Sequence, residues 1–122
     1  MKYKFFAQSL VAGLLLMMSH VGDGLTASQP APRRIDVTAK KFSFSPSEIT
    51  LKKGEPVVLV VTSQDVTHGL KFKELNLDTE IKKDATGELA FTPTETGDFV
   101  GHCSRFCGSG HGSMTLTVHV TE

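Results

Sequence analysis

Cys103, Cys107, His111 and Met114 stand in the order Cys-x3-Cys-x3-His-x2-Met, and they include both cysteines of the chain. Thiolate, imidazole and thioether form a soft donor set that suits copper and also accepts zinc or an iron–sulfur cluster. Most residues between them are small, and Gly108, Gly110 and Gly112 let a short loop turn its side chains toward one point. The stretch reads as a metal loop. His68, in Asp65-Val66-Thr67-His68-Gly69, is the candidate for a further imidazole from elsewhere in the chain, since a soft-metal site needs one and Gly69 leaves room beside it. His102 and His119 read as surface histidines, and His20 belongs to the leader. No nucleophile–base–orienter set for hydrolysis is visible, so the chain offers no independent catalytic site.

The elements that must carry these residues are β-strands. Ile35, Val37 and Ala39 alternate with polar residues, a period of two that marks a half-buried strand, and Phe42 and Phe44 extend the pattern to Pro46. Glu48 to Leu51 is a short extended piece, closed by the turn at Lys52-Lys53-Gly54-Glu55. Val57-Val58-Leu59-Val60-Val61-Thr62 is an unbroken β-branched run, expected to be a central strand covered on both faces. Val66 to Phe72 carries His68, Leu89 and Phe91 mark another strand, and Asp98-Phe99-Val100 delivers Cys103 to the loop. Met114, Leu116, Val118 and Val120 alternate with polar residues to the C-terminus. Residues 71–83 are polar, with Leu75, Leu77 and Ile81 as anchors. About seven short strands with frequent turns and no helix after residue 28 predict an all-β, antiparallel β-sandwich with Greek-key connections.

A chain of 122 residues has room for one such core. Thirteen Lys and Arg balance thirteen Asp and Glu, which points away from nucleic acid as a partner. Lys2 and Lys4 precede an apolar run from Leu10 to Met18 and then a polar, Gly-containing stretch, the layout of a secretory signal peptide ending at Ala27. The competing reading is an uncleaved anchor, though a span of about 20 apolar residues would have to include Gln8, Ser9, Ser19 and His20. The chain therefore divides into a signal or anchor at 1–27, a proline-containing linker at 28–34 and one domain at 35–122.

Phe42-Ser43-Phe44-Ser45-Pro46, Asp65-Val66-Thr67-His68-Gly69 and the loop Cys103–Met114, in this order, resemble the cupredoxin family. Within it the loop is similar to the binuclear copper (CuA) domain of cytochrome c oxidase subunit II and of nitrous oxide reductase. The resemblance covers residues 35–122. It implies two coppers bridged by the thiolates of Cys103 and Cys107, with His68 and His111 each on one copper. Met114 and the backbone carbonyl of Arg105 would be the weak ligands. It further implies a periplasmic or otherwise extracytoplasmic electron-transfer protein whose partner is a c-type cytochrome or an oxidase catalytic subunit. Membrane contact follows only if the leader is uncleaved.

The chain departs from those oxidases in carrying Arg105 where an acidic or amide residue is common, and in having no Trp. Phe106 and Phe72 are the aromatic residues that could stand in as an electron entry point. Three other readings use the same residues. A mononuclear blue-copper carrier needs only His68, Cys107, His111 and Met114 with one copper, which leaves Cys103 spare. A copper storage or delivery protein would use the full set but release the metal readily. A non-metal binding module would join Cys103 to Cys107 in a disulfide, as an oxidising compartment favours, and would leave the histidines and Met114 without a role.

Overall fold

The computed structural model describes residues 31–122. The signal-or-anchor segment at 1–27 and residues 28–30 of the 28–34 linker lie outside the described residues. Nine strands follow: β1 (Arg33–Lys40), β2 (Ser43–Ser45), β3 (Glu48–Lys52), β4 (Val57–Ser63), β5 (His68–Phe72), β6 (Leu77–Ile81), β7 (Thr86–Phe91), β8 (Gly97–His102) and β9 (Thr115–Thr121). A single 3-10 turn, His111–Ser113, precedes β9. β1 starts inside the stretch expected to be linker. Pro32 has no N–H to give, but Arg33 does, and it donates to the carbonyl of Pro56 at 3.0 Å. Among the described residues, no helix is long and apolar enough to cross a membrane.

The strands form two sheets, in the orders β2-β1-β4-β7 and β3-β9-β8-β5-β6. The all-β sandwich is as expected, but the sheets are mixed rather than antiparallel throughout. β1 runs parallel to β4, and β3 parallel to β9. Parallel neighbours need a long crossover, and here each pair is separated by intervening strands. The alternation from Ile35 to Phe44 is likewise not one strand. β2 folds back on β1, with Ala39 opposite Phe44. The apolar positions shift from odd to even numbers across Lys40-Lys41, and that change of phase is the mark of the turn.

The inward faces form the core. Val37, Ala39, Phe44, Val57, Leu59, Val61 and Leu89 come from the first sheet, and Ile49, Leu51, Leu70, Phe72, Ile81, Phe99, Leu116, Val118 and Val120 from the second. β4 is interior to its sheet, but it is not covered on both faces. Val57, Leu59 and Val61 point inward, and on the other face Val58 is buried but Val60 is half-buried and Thr62 exposed, so that face is covered only at its start. In the polar stretch 71–83, Ile81 is fully buried and Leu75 and Leu77 pack against the core edge.

This framework sets where the loop lies. β8 and β9 are antiparallel neighbours, His102 opposite Thr115. The N–H of Cys103 donates to the carbonyl of Met114 at 3.1 Å, closing the loop at its neck. On the other side of β8 lies β5, paired with Lys71 opposite His102. The start of β5, which is His68, therefore reaches the same end of the sandwich as the loop.

Candidate metal centre

His68 is fully buried although it is a titratable polar residue. Its Nε2 lies 2.7 Å from Oδ1 of Asp65. The turn that brings the two together is shaped by Ser63, also buried, whose hydroxyl donates to the carbonyl of Val66 and accepts from the N–H of Asp65. Burial pushes the Asp65 carboxyl up, but hydrogen bonds from the Lys41 N–H, His68 and the Val66 N–H outweigh it and bring the pKa down to about 2. An ionised carboxylate only accepts, so Nε2 carries the proton and the lone pair of the neutral ring is on Nδ1. Nδ1 faces the loop, 3.9 Å from Sγ of Cys103.

Cys103 and Cys107 are free thiols, both buried, with their sulfurs 3.5 Å apart. The Cys103 thiol also donates to the backbone carbonyl of Arg105 at 3.1 Å. Beyond Cys107, its sulfur lies 3.7 Å from Nδ1 of His111 and 3.9 Å from Sδ of Met114, which is fully buried. The donor atoms of His68, Cys103 and Cys107 all lie within 4.8 Å of one another. Every residue expected at the site is thus brought to one place, the carbonyl of Arg105 included. The donor chemistry fits a soft metal, with sulfur and imidazole together and water largely excluded. Desolvation, with the neighbouring Cys103, raises the Cys107 thiol to about 11, so it is protonated at neutral pH until a cation displaces the proton.

Two supporting contacts were not anticipated from the sequence. In the sequence Asp65 stands out only as part of the segment around His68, although an acid three residues before a His is a recognisable signal. Phe42 lies against the loop, where a Cβ on Gly110 would come within 2.5 Å of its ring. The N–H of its neighbour Lys41 donates to Oδ2 of Asp65 at 2.7 Å. One turn thus braces both halves of the site.

The cupredoxin-like domain family matches residues 8–117. The chain belongs to this family. Two forms of cytochrome c oxidase subunit 2 from Thermus thermophilus are 29% identical to this cupredoxin over 93 residues, 76% of the chain. The aligned part spans 69% of one and 55% of the other. Among solved structures, a heme-copper terminal oxidase dimer matches with a TM-score of 0.66 at 25% identity, covering 75% of this chain and 66% of that one. The periplasmic domain of cytochrome oxidase subunit II from Bradyrhizobium japonicum matches with a TM-score of 0.69 at 20% identity, covering 77% and 87%. Auracyanin A, a blue copper protein from Chloroflexus aurantiacus, shares the fold with a TM-score of 0.62 at 14% identity, covering 75% and 100%.

Outside the donor cluster, the cupredoxin's surface histidines are where they were expected. His102 is exposed, and His119 is half-exposed between Asp98 and Glu48 on the outer face of the larger sheet. Of the two aromatics considered for electron entry, Phe72 is in the core and Phe106 is 83% exposed. The Phe106 ring tilts against that of His111 with centroids 5.8 Å apart.

Proposed function

We propose that the chain is an electron-transfer protein carrying a binuclear CuA-type copper centre, like the oxidase subunit II domains it resembles. The observation that carries this reading is the cluster of donors His68 Nδ1, Cys103 Sγ, Cys107 Sγ and His111 Nδ1, with successive separations of 3.9, 3.5 and 3.7 Å. Two adjacent sulfurs, with His68 within 4.8 Å of both and His111 beside Cys107, suit two ions that share the sulfurs. Met114 and the Arg105 carbonyl would supply the remaining contacts. When bound, such a copper pair supplies a one-electron couple spread over both ions.

The chain's own residues perform the rest. Asp65 keeps the proton on Nε2 of His68 and leaves Nδ1 free to bind. The buried sulfurs exclude water and hold the donors in a fixed cage, so little has to move when an electron arrives. Loading must expel the thiol proton of Cys107, which makes copper uptake pH-dependent. His111 and Phe106 form the least buried edge of the cluster and are the natural face for a redox partner, a c-type cytochrome or an oxidase catalytic subunit. The leader at 1–27 supports export to the periplasm.

A mononuclear site has one observation in its favour: Cys107 lies beside Cys103, His111 and Met114 and within reach of His68. Copper-to-protein ratio and the electron paramagnetic resonance spectrum of the loaded chain decide between them. Two coppers with hyperfine coupling shared by both nuclei establish the binuclear centre. One copper with an intense blue colour gives the mononuclear one, and no retained copper removes both.

A further inference from the structure

Arg105 reaches in two directions at once. Its Nε donates to Oε2 of Glu80 at 3.2 Å, and its guanidinium lies 3.5 Å from Oδ2 of Asp78. The preceding hydroxyl, Ser104 Oγ, donates to Oδ1 of the same Asp78 at 2.7 Å. Asp78 and Glu80 are two apart on β6, so both project from the same outer face. β6 is the edge strand of its sheet, and β5 lies between it and the loop. The Ser104–Arg105 segment crosses β5 at Gly69. A Cβ there would strike Ser104 Oγ and come within 3.1 Å of both the Arg105 backbone N and Cγ. In the opposite direction, the carbonyl of Arg105 accepts the Cys103 thiol at 3.1 Å.

We propose that Arg105 is a positioning residue whose side chain, latched across Gly69 to Asp78 and Glu80, sets the direction of its own backbone carbonyl at the copper cluster. The inference rests on the copper reading above. Exposed ion pairs contribute little to folding stability, but a planar guanidinium held by two carboxylates fixes an orientation that a single flexible contact does not. The hydroxyl of Ser104 doubles the hold on Asp78, so the peptide between the two residues is tied from both sides. The site thus gains a rigid carbonyl from a loop that is otherwise rich in glycine. Among the described residues no ion pair anchors the far half of the loop, where Phe42 supplies packing instead.

The test is a charge swap in the full chain. Arg105→Glu removes both ion pairs and Glu80→Arg sets a like charge against Arg105, while the double variant restores the 80–105 ion pair at the same net charge. Each single variant is expected to shift the absorption bands and copper hyperfine coupling. Each should also lose copper to a chelator about tenfold more readily, the usual scale for residues that orient metal ligands. The swap should recover both properties. Wild-type spectra and chelator resistance in the single variants, or a swap no better than either, would overturn the proposal. Should the full chain hold no copper, the proposed function itself fails, and the latch is read in metal-free protein instead. Amide exchange at residues 103–107 is then faster in the single variants and restored in the swap, and unchanged exchange in the single variants sinks the latch.

Discussion

The Nε2 of His68 is bonded to the carboxylate of Asp65 at 2.7 Å, and that contact decides which nitrogen of a fully buried ring is free. The same carboxylate accepts from the N–H groups of Lys41 and Val66, each at 2.7 Å. Asp65→Ala removes the orienting partner and leaves two N–H groups in search of water. Copper affinity is expected to fall about 10- to 100-fold, the range for removal of a partner that orients a metal-binding His. The metal-free protein should lose about 1–3 kcal/mol as well. Chelator competition and urea denaturation measure the two effects separately, and unchanged copper retention would remove Asp65 from the site.

The two cysteines differ in what they touch, and their variants should differ too. Cys107 lies beside Cys103, His111 and Met114, so Cys107→Ser breaks the centre of the cluster and should abolish the copper–thiolate colour. Cys103 touches His68, Cys107 and the Arg105 carbonyl. If both sulfurs bridge two coppers, Cys103→Ala halves the copper content or empties the site, and the shared hyperfine pattern goes with it. Colour and stoichiometry unaffected by Cys103→Ala would establish the mononuclear arrangement.

The candidate donors were legible because a metal needs particular atoms, and those atoms come with residue types: Cys, His and Met gathered at loop spacing. The strands were legible for a similar reason, since alternation follows directly from the pleat. What the sequence did not yield were relations that depend on topology. The parallel pairing of β1 with β4 follows from which strands meet, and no local pattern records that. The seat of Phe42 against Gly110 joins residues far apart in the chain, and an aromatic in an alternating run looks like any other core residue. Asp78 and Glu80 fall in a polar stretch that reads as solvated surface, and nothing local in the sequence pairs them with Arg105 of the loop. The phase shift between Ala39 and Phe42 was there to be read, and it marks the turn that the alternation alone concealed.

His119 gives a pH dependence with a definite sign. Its Nδ1 is 2.6 Å from Asp98 and its Nε2 is 3.2 Å from Glu48, joining β9 to both its neighbours. The Asp98 hydrogen bond first, then that of Glu48, raise the imidazole above its ordinary 6.5. A raised value means that protonation favours the folded state. The contribution is fully present below about pH 6.5 and is lost as pH rises through the higher folded value. An NMR titration should place His119 above an unperturbed histidine, and Asp98→Asn should lower it. A His119 that titrates at or below 6.5 in the intact protein would contradict the paired geometry.

The bracing of the loop by Phe42 predicts a coupled pair. Alanine at position 110 puts a methyl group within 2.5 Å of the Phe42 ring, a distance side-chain carbons do not tolerate. Phe42 is itself packed against the core, so it cannot simply swing away. Gly110→Ala should therefore cost about 1–3 kcal/mol, the range for overpacking. Phe42→Ala costs stability by itself through the lost packing, but it removes the obstacle. The double variant should accordingly be more stable than the sum of the two single losses, with a coupling energy of about 0.5–3 kcal/mol. Additive losses in urea unfolding would show that the ring and the loop act independently, and the turn at Lys41-Phe42 would then brace only the His68 side of the site.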